Sequence, residues 1–269
     1  MSFAVLVLSI FSLIQIPLTL TEEGMPKINV EVEGKQLEAW VDLGRGIALI
    51  EENKLPDRSL SKTGEYVTSQ AFNEQAKKQD EVKIGVVKIA SYPFYDVKGT
   101  IGTGQIQSYT ISPTNTSVHA NAPPAIMLGN DIFRGGALLV DYKGGYFEYG
   151  KDAAEFIREI PFQRWAYVPF KIDRGQIQFL ALTRGLSGHW ILDSGSTINL
   201  IYKGFMGPLK FTQADNQTVN FGRFAFILDY VYYSNKPLKT GIFGILGAPF
   251  LRKYRTLIDF KKQHLYIEP

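Results

Sequence analysis

The sequence predicts an all-β protein built from two related lobes with a cleft between them. Segments rich in β-branched and aromatic residues alternate with turns that contain glycine or proline, and helical periodicity is weak along most of the chain. In addition, two segments recur in the same order in the two halves. These observations predict lobes at residues 25–150 and 161–269, joined by a linker at 151–160 in which we expect a short helix.

The strand signals are present in both halves of the chain. They include KINVEVEG, QLEAWVDLG and VKIGVVKIA in the first half, and IQFLALT, FAFILDYVYY and TLIDFKKQHLYIE in the second. Several of these runs alternate between apolar and polar residues, a pattern typical of strands with one buried face.

The internal repeat consists of two aligned pairs of segments. Residues 128–149 align without a gap on residues 246–267, at a constant offset of 118. Residues 40–50 (WVDLGRGIALI) align on residues 191–201 (ILDSGSTINLI) at an offset of 151. Because an ordered pair of matches is hard to obtain by chance, the repeat predicts two copies of one β unit.

The second alignment pairs Asp42 with Asp193, and Gly44 with Gly195. Two carboxylates held close in a dry cleft cannot both ionise cheaply, so they share a proton. One can then act as a base on water and the other as an acid toward a carbonyl. Taken alone, the cluster around Asp193 also fits an Asx-type turn between two strands, without any catalytic role.

These motifs resemble those of the aspartic peptidases of the pepsin and retropepsin group. The stretch DSGST follows WIL, and the hydrophobic-hydrophobic-Gly segments of that group correspond to IMLG (126–129) and GILG (244–247). The resemblance implies pepsin/retropepsin-like β-barrel lobes and an endopeptidase whose catalytic pair is Asp42 and Asp193. It implies no cofactor, no metal and no covalent intermediate.

The remaining predicted site residues lie in the same two loops. Glycine lets the backbone turn tightly beneath each carboxylate, and hydroxyl groups can orient the carboxylate oxygens. We expect Ser194 to reach across to the opposite loop and Ser196 to support Asp193 through its hydroxyl. The predicted loop residues are Gly44, Arg45, Ser194, Gly195 and Ser196.

The first loop departs from the pattern of the group at two positions. Leu43 and Arg45 stand where the group has hydroxyl residues. If the Arg45 guanidinium lies near Asp42, it would favour the ionised form of that carboxylate. Alternatively, the side chain points outward and binds a carboxylate of the substrate. Two functions therefore remain open. One is an active endopeptidase, and the other is a catalytically impaired relative that binds extended peptides in the cleft.

A hairpin flap is expected over the cleft. Residues 64–75 (GEYVTSQAFNEQ) lie at a plausible distance after Asp42 and offer Tyr66 as a residue that packs over substrate. Residues 97–105 (VKGTIGTGQ) are the rival, and residues 214–218 (ADNQT) have turn chemistry in the second lobe.

Composition narrows the choice of partners. The net charge of +3 is spread along the chain, without a basic block suited to nucleic acid. There are no cysteines, and the three histidines, His119, His189 and His264, lack metal-ligand spacing. A polypeptide substrate or extended peptide is thus the expected partner. Because a tethered lobe has a high effective concentration, we expect a monomer rather than a dimer of second lobes.

The first twenty residues differ from the rest of the chain. Residues 3–20 are largely apolar and uncharged, which is typical of a signal peptide or a membrane anchor within residues 1–24. We therefore expect an exported protein, periplasmic, secreted or membrane-anchored, in which residues 1–20 pack against neither lobe. The alternative is a buried N-terminal strand or helix.

Overall fold

The structure, a computed structural model, describes residues 13–22, 24–69, 77–102, 106–111, 116–121, 124–156, 161–205, 217–235 and 241–269. The strands of the first half are β1 (Ile14–Pro17), β2 (Thr19–Leu20), β3 (Pro26–Val32), β4 (Lys35–Val41), β5 (Ala48–Ile50), β6 (Leu60–Ser69), β7 (Lys77–Ile89), β8 (Tyr92–Ile101), β9 (Ile106–Ile111), β10 (Thr116–Asn121), β11 (Ile126–Leu128), β12 (Ala137–Asp141) and β13 (Tyr146–Gly150). Those of the second half are β14 (Ala166–Asp173), β15 (Gln176–Thr183), β16 (Leu186–Leu192), β17 (Asn199–Tyr202), β18 (Gln217–Phe221), β19 (Phe224–Leu228), β20 (Val231–Ser234), β21 (Ile242–Leu246), β22 (Thr256–Asp259) and β23 (His264–Ile267). The described helices are α1 (Ala248–Lys253) and short 3-10 turns at Glu52–Lys54, Asn130–Phe133, Ala153–Phe156, Phe162–Arg164 and Lys203–Phe205. The predicted all-β class is confirmed.

Tight turns join equivalent hairpins in the two halves. Glu33 (φ 48°) and Gly34 (φ 81°) connect β3 to β4, and Arg184 (φ 50°) and Gly185 (φ 78°) connect β15 to β16. Two consecutive residues with positive φ are typical of the type I′ turn, whose twist suits a hairpin. The two turns are 151 residues apart, which is the offset of the sequence repeat.

The two lobes also share a pattern of strand pairing. In the first lobe β11 is parallel to β4 and antiparallel to β5. In the second lobe β21 is parallel to β16 and antiparallel to β17. The register corresponds as well, since Leu128 lies opposite Val41 and Leu246 lies opposite Leu192. Because β4 and β16 each end one residue before an aspartate, the two aspartates leave equivalent strand ends.

One sheet contains strands from both lobes. Strands β1, β13 and β12 of the first half and β22, β23 and β14 of the second form one continuous run of paired strands, in which β12 is antiparallel to β22. All residues of β12 and β22 are buried. The predicted boundaries at residues 150 and 161 therefore separate two sets of strands along the chain, but these strands meet in one sheet.

The segment between the halves packs beneath this shared sheet. Ala153–Phe156 form a single 3-10 turn, shorter than the helix expected over residues 151–160, of which 157–160 lie outside the described residues. Ala153 and Phe156 are buried in a small apolar cluster that includes Trp165. The turn is thus part of the packed structure.

The expectation that residues 1–20 pack against neither lobe is wrong for the part of them that the structure describes, residues 13–20. Strand β1 pairs with β13, and Ile16 and Leu18 are buried in the main core, with exposed fractions of 1% and 8%. An alternating apolar segment can add an edge strand to a sheet, so the alternative of a buried strand holds for Ile14–Pro17. Residues 1–12 lie outside the described residues. Among the residues that are described, no helix is long and apolar enough to cross a membrane.

Candidate active site

Each aspartate is held at the end of its strand by the same backbone hydrogen bond. The N–H of Asp42 donates to the carbonyl of Leu128 at 2.9 Å, and the N–H of Asp193 donates to the carbonyl of Leu246 at 2.9 Å. The acceptors are the last residues before Gly129 and Gly247, in the two Leu-Gly segments of the repeat. The Leu-Gly segments therefore position both carboxylates in the same way.

The two loops approach each other so closely that only glycine fits between them. A Cβ atom added to Gly44 would lie 2.3 Å from Cγ of Asp193, and one added to Gly195 would lie 2.7 Å from Cγ of Asp42. Both distances are shorter than any ordinary non-bonded contact. Each glycine thus faces the carboxylate of the opposite lobe, and the two carboxylates meet across the interface.

Backbone N–H groups donate hydrogen bonds to the Oδ1 atom of each carboxylate. Gly44 donates to Oδ1 of Asp42 at 2.9 Å, while Gly195 and Ser196 donate to Oδ1 of Asp193 at 2.9 and 3.1 Å. Burial raises the pKa of Asp193 well above its ordinary value. The charge of Asp42 and a hydrogen bond with Asp42 act in the same direction. An arrangement of this kind keeps one proton on the pair.

Ser194 makes the hydrogen bonds that tie the two loops together. Its fully buried hydroxyl accepts the N–H of Leu43 at 2.8 Å and donates to the carbonyl of Val41 at 2.8 Å. Leu43 occupies the equivalent position of the first loop and is itself fully buried, but it has no hydroxyl with which to return these bonds. At this loop position the hydrogen bonds to the opposite loop are therefore made by Ser194 and not by Leu43.

Asn130 is a site residue that sequence reasoning missed. Its buried amide donates to the carbonyls of Leu43 at 3.0 Å and Gly175 at 2.6 Å, and its oxygen accepts two N–H groups of Arg134 at 3.1 and 2.8 Å. Asn130 thereby joins the first loop to a turn of the second lobe. Two signals could have identified it, since it directly follows the Leu-Gly segment and since Arg134 recurs in the repeat as Arg252.

Asn199 supports the second loop and was also missed. Its buried side chain accepts the N–H of Gly247 at 2.9 Å and donates to the carbonyl of Asp229 at 2.6 Å. The repeat places Ala48 at the equivalent position of the first lobe. An asparagine inside the apolar run INLI (198–201) was the available signal, because a polar side chain in a buried strand needs internal partners.

The sequence matches no protein-family model and no curated protein, but its fold is similar to that of a solved structure. The crystal structure of an aspartic proteinase from Irpex lacteus is similar to this chain, with a TM-score of 0.62 and 13% sequence identity over 96% of this chain and 97% of that chain. The chain has a pepsin-like fold. At this identity the likeness shows the fold alone, and the chemistry of the site depends on the residues that this chain places there.

In the two catalytic loops of this pepsin-like fold, Arg45 and Ser196 occupy equivalent positions, and their side chains donate to equivalent backbone carbonyls. The hydroxyl of Ser196 donates to the carbonyl of Ile198 at 2.8 Å, and Nε of Arg45 donates to the carbonyl of Ile47 at 2.9 Å. The expected hydroxyl contact of Ser196 with Asp193 is thus replaced by one from its backbone N–H, because the hydroxyl is engaged with Ile198. Arg45 substitutes for a serine without losing the bond that holds the loop.

The charge of Arg45 is close to three carboxylates. Burial lowers the pKa of this guanidinium, whereas the charges of Asp42, Asp131 and Asp193 raise it. Burial also raises the pKa of Asp131 to about 6, against the opposing influence of Arg134. The first-lobe side of the pepsin-like cleft therefore carries a cation that the second-lobe side has replaced with Ser196.

The predicted flap residue Tyr66 lies on β6, which pairs with β7 in a hairpin. Its side chain is 62% exposed, and the ammonium of Lys78 is 3.8 Å from its ring centroid. The connection of this hairpin at residues 70–76 lies outside the described residues. Of the rival segment, residues 97–101 belong to β8 and 103–105 are not described. Tyr66 stays a candidate.

A metal site needs several ligand side chains close together. Within those residues, no three or more histidine, aspartate or glutamate side chains are grouped so that they could hold a metal ion.

Proposed function

We propose that the chain is an aspartic endopeptidase, a hydrolase that cleaves peptide bonds with Asp42 and Asp193. The observation that carries the proposal is the mutual approach of each loop glycine to the opposite carboxylate. Two carboxylates so placed share one proton and serve as acid and base in the same step. The pepsin-like fold supports the same conclusion.

In the proposed reaction, Asp193 retains the shared proton because burial and the Asp42 charge raise its pKa. Ionised Asp42 accepts a proton from a water molecule, whose oxygen attacks the carbonyl carbon of the scissile bond. Asp193 donates its proton to the carbonyl oxygen, which forms a neutral tetrahedral diol. As the C–N bond breaks, Asp42 gives the proton that it took from water to the leaving nitrogen, and a hydroxyl of the diol gives its proton to Asp193, which restores the singly protonated pair.

The charge of Arg45 is expected to move the pH–activity profile toward acid. The guanidinium lies near both carboxylates, and a positive charge there favours loss of the shared proton. The pair should therefore lose its single proton at a lower pH than it would without the guanidinium, although burial of Asp193 acts in the opposite direction.

A second candidate is a peptidase-like protein that binds extended peptides without cleaving them. Leu43 favours it, because this residue has no hydroxyl to return the two hydrogen bonds that Ser194 makes to the first loop. Arg45 favours it as well, because the cation disfavours the protonated state that cleavage needs. Peptides would then pair with strand edges in the cleft.

We also propose that the protein is an exported monomer. The apolar run at residues 3–20 supports export, and the strand pairing of Ile14–Pro17 restricts the separable leader to the residues before it. The sheet shared by the two halves supports a monomer, because the partner lobe is supplied within one chain. Cell fractionation and light scattering test the two statements, and an intracellular protein or a stable dimer would contradict them.

The experiment compares the purified protein with Asp42→Asn and Asp193→Asn on an unfolded protein substrate. Exposed Asp57 provides the matched control Asp57→Asn. Cleavage is expected in acid for the natural chain and for the control, and it should be absent in both site variants. If the natural chain is inert from roughly pH 2 to 8, a range that brackets the ordinary carboxyl pKa of about 3.9, yet binds extended peptides, the second candidate replaces the first.

A further inference from the structure

The Arg45 guanidinium has donors to spare. Its five N–H groups have two acceptors, the carbonyl of Ile47 at 2.9 Å and the sulfur of Met127 at 3.5 Å, of which the thioether is weak. Within the described ranges, no carboxylate oxygen lies within 4.0 Å of its nitrogen atoms. A half-buried guanidinium whose N–H groups are only partly bonded within the described residues can still donate hydrogen bonds to an anion.

The contact of Arg45 with Met127 places its side chain on the face of the first lobe that carries the catalytic carboxylate. Val41 points into the main core, so Trp40 and Asp42, its neighbours along the extended chain, point to the opposite face. Trp40 and Met127 belong to a small apolar cluster on that face, and Arg45 contacts Met127. Arg45 is half-buried, so a ligand can reach it from solvent.

The second lobe has no counterpart to this cation in its loop. The equivalent apolar cluster there consists of Ile191, Leu200 and Ile242, and the equivalent loop residue is Ser196, whose hydroxyl is already used. Of the two catalytic loops, only the one in the first lobe therefore offers a positive charge to a peptide. This asymmetry makes substrate choice directional.

We propose that Arg45 is a specificity-determining residue that binds the carboxylate of an aspartate or glutamate side chain in the substrate, on the first-lobe side of the carboxylate pair. The inference rests on the proposed function, since it needs an extended peptide in the cleft. A planar guanidinium with free N–H groups matches a carboxylate in two-point contact, which a neutral amide or an aliphatic side chain cannot reproduce.

The test measures peptide affinity separately from cleavage. Fluorescein-labelled octapeptides of alanine and leucine carry one glutamate at each position in turn, with glutamine peptides as partners, and fluorescence anisotropy gives Kd on the uncleaving Asp193→Asn protein. At one position, on one side of the centre, the glutamate peptide should bind roughly tenfold or more tightly than the glutamine peptide, as expected for charge-assisted hydrogen bonds. Arg45→Gln should remove this ratio, Arg45→Lys should reduce it, and the exposed control Arg164→Gln should leave it unchanged.

Each outcome decides a separate question. Equal affinity for glutamate and glutamine peptides, or a ratio that survives in Arg45→Gln, overturns the inference. So does a preference that follows a free rather than an amidated C-terminus. If the natural chain cleaves unfolded protein without any acidic preference, the inference fails while the peptidase proposal stands. If the chain neither cleaves nor binds these peptides, both fail. Should Arg45→Gln not fold, Arg45→Lys and the scan on the parent protein still decide the matter.

Discussion

Asp131→Asn should make the stability of the protein less dependent on pH between about pH 4 and 6. Asp131 follows Asn130 at the start of a 3-10 turn, and its Oδ1 atom is buried without a hydrogen-bond partner among the described residues. Burial raises its pKa from 3.8 to about 6, although Arg134 and Arg45 oppose the change. The folded chain therefore holds this proton more tightly than the unfolded chain.

The sign and the size of the effect follow from the two pKa values. A carboxyl group whose pKa is raised on folding stabilises the fold fully below its unfolded pKa, and this contribution is lost as pH rises through the folded pKa. The rise from 3.8 to about 6 corresponds to about 3 kcal/mol, at about 1.4 kcal/mol for each tenfold change in proton affinity. Since asparagine does not titrate, the variant should gain about this much on the natural chain between roughly pH 3 and 7.

Urea unfolding followed by tryptophan fluorescence measures this difference across the pH series. The exposed Asp57→Asn variant is the control and should run parallel to the natural chain. A constant difference between Asp131→Asn and the natural chain across the window would refute the reasoning. A difference that moves against the variant as pH rises would also refute it, since the charges of Arg134 and Arg45 would then outweigh the cost of burial.

Three further predictions concern the link between the loops, the first loop and the N-terminal strand. Ser194→Ala leaves two buried backbone groups without a partner, so it should lower the free energy of unfolding by about 2–5 kcal/mol in urea titrations; a loss below about 1 kcal/mol would contradict the assigned hydrogen bonds. Leu43→Thr combined with Arg45→Ser should raise turnover and move the upper limb of the pH–activity profile toward neutral, because a hydroxyl is restored and a cation is removed; an unchanged profile would rule out electrostatic control by the guanidinium. Ile16→Ala should lower the free energy of unfolding by about 2–5 kcal/mol, whereas Leu20→Ala at an exposed position should have little effect. If the loss for Ile16→Ala is as small as the loss for Leu20→Ala, the side chain of Ile16 in β1 adds no stability.

Much of the local structure could be predicted from the sequence, because strand alternation and turn chemistry act over a few residues. The repeat at an offset of 151 led to Asp42 and Asp193 as partners, and the structure has the same offset in its hairpin turns at Glu33 and Arg184. The Leu-Gly segments were also visible in advance. Their role as acceptors for the aspartate N–H groups follows directly from the strand pairing.

The N-terminal segment shows where local reasoning stops. An uncharged apolar run predicts export and an edge strand equally well, and the outcome for Ile14–Pro17 depends on whether β13 presents a free edge. That edge exists only after the shared sheet has formed. Composition alone cannot distinguish the two cases, because the partner strand is more than a hundred residues away along the chain.

The sequence by itself determined the strand content, the two-lobed plan and the presence of two aspartates in glycine-containing loops. The tertiary structure decided how those loops meet, with Gly44 against Asp193 and Gly195 against Asp42. It also decided that Ser194, without a counterpart at Leu43, bonds the backbone of the opposite loop, and that Arg45 uses Nε where Ser196 uses a hydroxyl. The physical reason is range, since propensity and patterning act between neighbours, whereas the pKa of a carboxyl group and the partner of a buried donor depend on atoms that only folding brings together.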